Sequence, residues 1–311
     1  MTHPHDHSSN HYFKEWLTPH EVHSHHLKKI LVKKKTKFQN AMVSDTYSFG
    51  RVLILDGEMQ SAQLDEFIYH EALIHPSLTS HPQPKTALIL GGGEGATIRE
   101  ILKHPTIEKN AMVDIDSEVI AFCKKYLKTW HQGSFENPKT EIVIGDAKKF
   151  IEDSKNKFDI IISDLPSPME KGPASQLYTI EFYKTLSSRL NSNGIFTLQA
   201  GSGNLLQLEL HLKLYNTLKK IFPLVRSYSA FIPSFDVPWS FLFCGNSLKR
   251  DPFKISAKEI DARLKARNIK SLKFYDGMTH EGLFRIPKYL RTALEKEKGE
   301  ISLKKPVYFY K

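Results

Sequence analysis

Four carboxylates in this sequence occupy equivalent places in the local pattern. Each closes or follows a short apolar run: Glu94 in the glycine loop Gly91–Gly95, Asp114 with Asp116 two residues on, Asp146 in Gly145-Asp146-Ala147, and Asp164 after Phe158–Ser163. In an open α/β sheet, ligands lie at the carboxyl ends of the strands, so acids in those places face one crevice. Gly91, Gly93 and Ala96 also fit the loose G-x-G-x-x-A pattern that cradles a pyrophosphate. Glu94 argues against that ligand, because two like charges about 4 Å apart cost about 4 kcal/mol at an effective dielectric of 20. A nucleoside without phosphates and with a cationic arm suits the loop better, and adenosine attached to a sulfonium is such a ligand. Asp114, about twenty residues past the loop, is placed to accept from ribose hydroxyls. Asp146 and the Ala147 amide are placed for the adenine edge. An aspartate at a strand end is also a common helix N-cap. Four in series, with one inside the glycine loop, favour a ligand site.

The elements that must position these acids are readable around them. Strands are expected at 87–90, 111–115, 141–144, 158–163, 194–199, 225–231 and 240–244. Helices are expected between them at 96–103, 117–127, 147–153, 180–190 and 206–221. The alternation predicts an α/β fold, a doubly wound and mostly parallel sheet with an antiparallel strand pair at its end. Before it, Lys29–Phe38, Ala41–Ser44 and "YSFGRVLILDGEMQSA" read as strands, with a hairpin turn at Asp56-Gly57. The segment "DEFIYHEALIHPSL" reads as a helix closing near Pro76. Three regions are expected: a His-rich flexible tail over 1–26, a small N-terminal β-strand domain with a linking helix over 27–80, and a catalytic domain with a C-terminal appendage over 81–311.

Composition bounds the function. A chain of 311 residues with 40% apolar content can bury a real core. No apolar run is long enough to span a membrane, and no secretory signal is expected at the start. Cys123 and Cys244 are the only cysteines, which suits a reducing cytoplasm. The net charge of +10 reads as a lysine-rich solvated surface, because no basic cluster is interleaved with aromatics to stack nucleic-acid bases. The eight histidines of the first 26 residues fit no zinc spacing, and no metal is expected.

The segments "KFQNAMV", "GRVLILDGEMQ", "DEFIYHE", "GGGEGATIREILKH", "VDIDSEVI", "GDAKKF", "FDIIISDLPSP" and "GPASQLYT" together resemble the polyamine aminopropyltransferases, the spermidine synthase family. "GGGEG", "IYHEALIHP" and "QLYT" are similar to the thermospermine synthase branch. The resemblance implies a Rossmann-like, methyltransferase-type sheet behind a small N-terminal β-strand domain, in a homodimer or homotetramer. It implies no permanent cofactor. Decarboxylated S-adenosylmethionine is the co-substrate, a polyamine accepts its aminopropyl group, and 5′-methylthioadenosine leaves. Glu94 then pairs with the donor's terminal ammonium and would repel the carboxylate of ordinary S-adenosylmethionine. Gln39, Asp114, Asp146, Ala147 and Pro173 match the nucleoside site. Asp164 matches the proton acceptor, Tyr69 and His70 the pair lining the amine site, and Gln199 a further amine contact.

Two departures concern the acceptor. The family pattern D-x-x-D-P is here Asp164-Leu165-Pro166-Ser167-Pro168, so the second acid is a serine, for which Glu170 or Asp236 could substitute. Phe235 stands where a tyrosine is usual. Putrescine giving spermidine is the first expectation and spermidine giving thermospermine the alternative; a methyltransferase on the same fold is the other class of reading.

Overall fold

The computed structural model describes residues 11–170, 172, 174–247, 249 and 251–309. The N-terminal part is an antiparallel sheet of five strands in sequence order: β1 (Tyr12–Thr18), β2 (Glu21–Lys35), β3 (Asn40–Thr46), β4 (Arg51–Leu55) and β5 (Glu58–Ala62). Asp56 and Gly57 link β4 to β5 with positive φ at both residues (46° and 87°), as a two-residue type I′ hairpin requires.

The first two strands correct one expectation. Residues 12–18 and 21–26 lie in strands and not in a flexible tail, with Phe13 opposite His25 and Trp16 opposite Val22. The reason is that a neutral imidazole packs as an aromatic ring. His25 is buried, stacks on Phe13 at 6.0 Å and meets Phe49 edge-on at 5.8 Å. Burial, with His23 nearby, lowers its pKa to about 4, so it stays uncharged at neutral pH. His3, His5 and His7 lie outside the described residues.

Helix α1 (Glu66–Ser80) joins this sheet to the next and runs through Pro76 instead of stopping there. A proline has no N–H, so the carbonyl of Ala72 loses its helical partner. The hydroxyl of Tyr228 donates to that carbonyl at 3.0 Å and replaces the missing bond.

The second sheet has seven strands: β6 (Thr86–Gly91), β7 (Lys109–Asp114), β8 (Thr140–Ile144), β9 (Phe158–Asp164), β10 (Leu190–Ser202), β11 (Leu224–Ile232) and β12 (Val237–Gly245). Their order is β11-β12-β10-β9-β6-β7-β8, and β10, β9, β6, β7 and β8 pair in parallel. The expected antiparallel pair at the end is more particular than foreseen: β12 inserts between β10 and β11 and is antiparallel to both. Helices α2 (Ala96–Leu102), α3 (Ser117–Tyr126), α4 (Lys128–His131), α5 (Ala147–Asp153), α6 (Ile180–Ser187) and α7 (Glu209–Lys219) flank it. α8 (Ala257–Ala266), α9 (Gly277–Leu283) and α10 (Lys288–Lys296) follow.

Alternation within β6 divides the core. Ala87 and Ile89 face one side with Leu73, Ile74 and Phe241; Leu88 and Leu90 face the other with Phe196, Leu214 and Leu242. Each of the leucine, isoleucine and phenylalanine side chains contributes about 1.5–3 kcal/mol by leaving water, so the central strands are fixed from both faces. Among the described residues no helix is long and apolar enough to cross a membrane.

Candidate active site

The connection after β6 crosses to β7 on one side, whereas β9 and β10 lie on the other, so the strand order reverses between β6 and β9. At that point the strand ends open into a cavity of about 310 Å3. Gln39, Tyr69, Glu94, Asp114, Asp146, Ala147, Asp164 and Gln199 all line it. Pro173 lies outside the described residues.

Asp164 ends β9 directly opposite Gly91, and the Gly92 amide donates to its carbonyl at 3.0 Å. Its carboxylate accepts from the Tyr69 hydroxyl at 2.8 Å and from the Thr97 hydroxyl at 2.5 Å. Both donors are neutral. Burial, and then the Asp164 charge, push the Tyr69 phenol well above its usual pKa, so it remains a proton donor to the aspartate.

Glu94 is held from behind. Ser61 of β5 donates to its Oε2 at 2.5 Å, and the Trp130 indole donates to Ser61 at 3.0 Å. His70 Nε2 stands 2.5 Å from Glu94 Oε1, and His70 Nδ1 stands 2.8 Å from Glu66 Oε2. Burial works against a charge on His70, but Glu94 and Glu66 together raise its pKa well above 6.5. Glu66 in turn receives two bonds from Arg99, at 3.0 and 2.9 Å. His70 is therefore not a wall of the cavity, as the sequence suggested, but a fully buried cation behind Glu94.

Asp114, Asp116 and Asp146 have partners of a different kind. Asp114 ends β7 and accepts from the Asp116 amide at 2.9 Å. Burial raises its pKa to about 6, against the opposing pull of the Asp116 and Gly93 amides. Asp116 accepts from Thr36 at 2.6 Å and from Gln39 Nε2 at 3.1 Å, which fixes the Gln39 side chain at the cavity edge. Asp146 caps α5 through the Lys148 amide at 2.7 Å and also lines the cavity, so it serves both readings of a strand-end aspartate.

Gln199 lines the cavity with its amide committed to the protein. Its nitrogen donates to the Leu165 carbonyl at 2.8 Å and to Tyr178 at 2.9 Å, and its oxygen accepts from the Gly201 amide at 3.0 Å. It anchors the loop that follows Asp164.

Ser167 is buried and lines the cavity, but neither acid expected to replace the missing one does so. Asp236 is exposed and paired with His23 at 2.9 Å, and Glu170 is not at the cavity. Glu15 of β1 is there instead. It is 8% exposed, accepts from the Met59 amide at 3.1 Å through Oε1, and has no partner for Oε2 among the described residues. Burial raises its pKa to about 7. Sequence reading missed Glu15 because its segment was assigned to the tail; the signal was the strand-like run Tyr12–Leu17, whose third residue after Tyr12 is an acid.

The strand ends thus bring four carboxylates, Glu94, Asp114, Asp146 and Asp164, to one cavity at the point where the strand order reverses. Residues 66–252 match the spermine/spermidine synthase domain, and residues 11–63 match the spermidine synthase tetramerisation domain. A polyamine aminopropyltransferase of Sulfurisphaera tokodaii is 47% identical over 96% of this chain and 97% of its own length. One from Sulfolobus acidocaldarius is 43% identical, over 94% and 96% respectively. Among solved structures, a spermidine synthase in complex with the transition state analogue AdoDATO superposes with a TM-score of 0.83 at 30% identity, covering 92% of this chain and 95% of that one. The spermidine synthase from Thermotoga maritima gives 0.81 at 29% identity. The chain belongs to the spermine/spermidine synthase family and is an enzyme of the aminopropyltransferase type.

Proposed function

We propose that the protein transfers the aminopropyl group of decarboxylated S-adenosylmethionine to putrescine, giving spermidine and 5′-methylthioadenosine. The observation that carries this reading is Glu94, a carboxylate held in the glycine loop by His70 and Ser61 and open to the same cavity as the Asp164–Tyr69 pair. Glu94 receives the donor's terminal ammonium, Asp114 the ribose hydroxyls, Asp146 and Ala147 the adenine edge, and Gln39 contacts the nucleoside from the cavity edge. A methyltransferase donor carries a carboxylate that Glu94 would repel.

The amine nitrogen attacks the methylene carbon beside the sulfonium. The carbon–sulfur bond breaks, its electron pair stays on sulfur, and neutral methylthioadenosine leaves. The attacking amine must first lose a proton, which costs about 4–5 kcal/mol at pH 7 for a group with a lysine-like pKa near 10.4. Asp164 accepts that proton directly or through the Tyr69 hydroxyl, as general base. Gln199 acts as a positioning residue through Leu165. Glu15 takes the place of the absent second acid: its free Oε2 receives the distal ammonium of the acceptor.

Spermidine as acceptor, giving thermospermine, is the second reading, and Ser167 in place of an aspartate favours it. The reading also includes a homotetramer or homodimer in the cytoplasm. Exposed Trp16, Val22 and Ile30 on the N-terminal sheet and two buried, unpaired thiols support those two points. The deciding assay measures methylthioadenosine release from decarboxylated S-adenosylmethionine against putrescine, cadaverine, agmatine and spermidine, with mass spectrometry of the product. Turnover with putrescine is expected. Turnover with spermidine alone would replace the first reading by the second, and silence with every amine would overturn both.

A further inference from the structure

Four aromatic rings lead away from Asp164 along one wall of the cavity. Tyr69 meets Phe235 at 6.3 Å between centroids, Phe235 meets Trp239 at 5.0 Å, and Trp239 meets Phe309 at 5.8 Å. All four line the cavity. The first three belong to α1, to β12 and to the turn before it. The last comes from the C-terminal segment, beyond α10, far from the sheet in sequence.

Phe309 is held by its backbone as well as by its ring. Its amide donates to the Pro168 carbonyl at 2.9 Å, in the loop that carries Ser167. Its ring lies over Gly201, where a Cβ would stand 3.2 Å from the Phe309 ring and where φ is +78°. A side chain at Gly201 would be strained in that conformation and would crowd the ring. The pairing of β10 with β12 also shifts register between Gln199 and Ser202, so the strand is shaped where the ring enters. Val307 packs on the adjoining core and holds the segment in place.

We infer that Phe309 is a specificity-determining residue: the C-terminal segment closes the acceptor end of the cavity with a ring and so limits the length of amine that fits. The inference rests on the proposed aminopropyl transfer. The chain between the ammonium groups of an acceptor is apolar methylene, which packs on the aromatic row, and its distal ammonium is drawn to the ring faces and to Glu15. A longer acceptor must displace Phe309, whereas a shorter one leaves contacts unmade.

The test compares Phe309→Ala and Phe309→Leu with the unaltered protein, using putrescine, cadaverine and spermidine. The expected result for Phe309→Ala is a shift of about tenfold or more in the spermidine-to-putrescine ratio of kcat/KM toward spermidine, the scale at which apolar pockets discriminate chain length. Phe309→Leu should lie between, and the KM for decarboxylated S-adenosylmethionine should hold. The same ratio, read from calorimetric dissociation constants of the amines, tests the inference without turnover. An unaltered ratio in a variant that melts like the parent overturns it. Failure of the parent to release methylthioadenosine with any amine would instead count against the proposed reaction, while the binding ratio still decides the role of Phe309. If Phe309→Ala does not fold, Phe309→Leu, which keeps most of the packing, carries the test.

Discussion

The two ends of the cavity treat their carboxylates in opposite ways. At the end that the proposed function gives to the donor, Glu94 is matched by His70, His70 by Glu66, and Glu66 by Arg99. Arg99 also holds Glu100 at 2.7 Å, and His75 Nε2 stands 2.9 Å from Glu100 Oε2, so a chain of buried polar contacts runs back into the core. Burial disfavours the charge on Glu66, yet His70 and Arg99 more than offset this and keep its pKa below the ordinary value. At the acceptor end, among the described residues, neither Asp164 nor Glu15 forms an ion pair with a side-chain cation. Asp164 has two hydroxyl donors, and Glu15 has one amide and an unpartnered oxygen. Breaking a buried pair costs several kcal/mol, so Glu94 is fixed in place before any ligand arrives. On the proposed function, the acceptor-end acids are left short of positive charge because the substrate brings it.

That contrast breaks first at Asp164. In Asp164→Asn the proposed general base is lost while the contacts of Glu94 are untouched. We expect kcat to fall about 10²–10⁴-fold, with calorimetric affinity for decarboxylated S-adenosylmethionine within about twofold of the parent. A variant that keeps its kcat would remove Asp164 from proton transfer. Next in size is Glu94→Gln, which leaves His70 facing a neutral amide. Loss of a charge-assisted contact costs about 1.5–3 kcal/mol, so donor affinity should drop about 10–100-fold. The preference for the decarboxylated donor over ordinary S-adenosylmethionine should narrow with it. A competition titration reads both, and an unchanged preference would mean that Glu94 is not the selecting group.

The strand-end acids that line the cavity were legible in the sequence, whereas Glu15 and the outer aromatic rings were not, for a physical reason. Glu94, Asp114, Asp146 and Asp164 are local features: each follows a strand of the parallel sheet, and the strand order brings the ends together. The helix α5 at 147–153 and the Asp56-Gly57 hairpin were likewise fixed by short-range patterning. Glu15, Trp239 and Phe309 meet only because β1, β12 and the C-terminal segment fold onto the same opening, and no spacing within any of them encodes that meeting. The histidines of β2 misled in another way. Counted as polar they suggested a tail, whereas His25 packs as a neutral ring between Phe13 and Phe49. Pro76 signalled a helix end because a partner for the Ala72 carbonyl, supplied by Tyr228 from β11, is not visible locally.

The smallest effect sharpens the contrast most. Glu15 has its pKa raised from 4.5 to about 7 by burial, so the folded protein holds a proton there that the unfolded chain has already released. Stability therefore falls as pH rises from about 4.5 to about 7 and is level above that, since the folded state binds the extra proton only in that window. An incoming ammonium favours the ionised form, so the acceptor KM should fall between pH 6 and pH 8 as Glu15 loses its proton. In Glu15→Gln that step should vanish, leaving the KM at pH 8 about tenfold higher, the loss of one charged contact. The titration of the amine itself is common to both proteins, so the difference between the two profiles isolates Glu15. Parallel profiles would show that the acceptor's distal charge is met elsewhere, and the opposition between a charge-matched donor end and a cation-poor acceptor end would then rest on Asp164 alone.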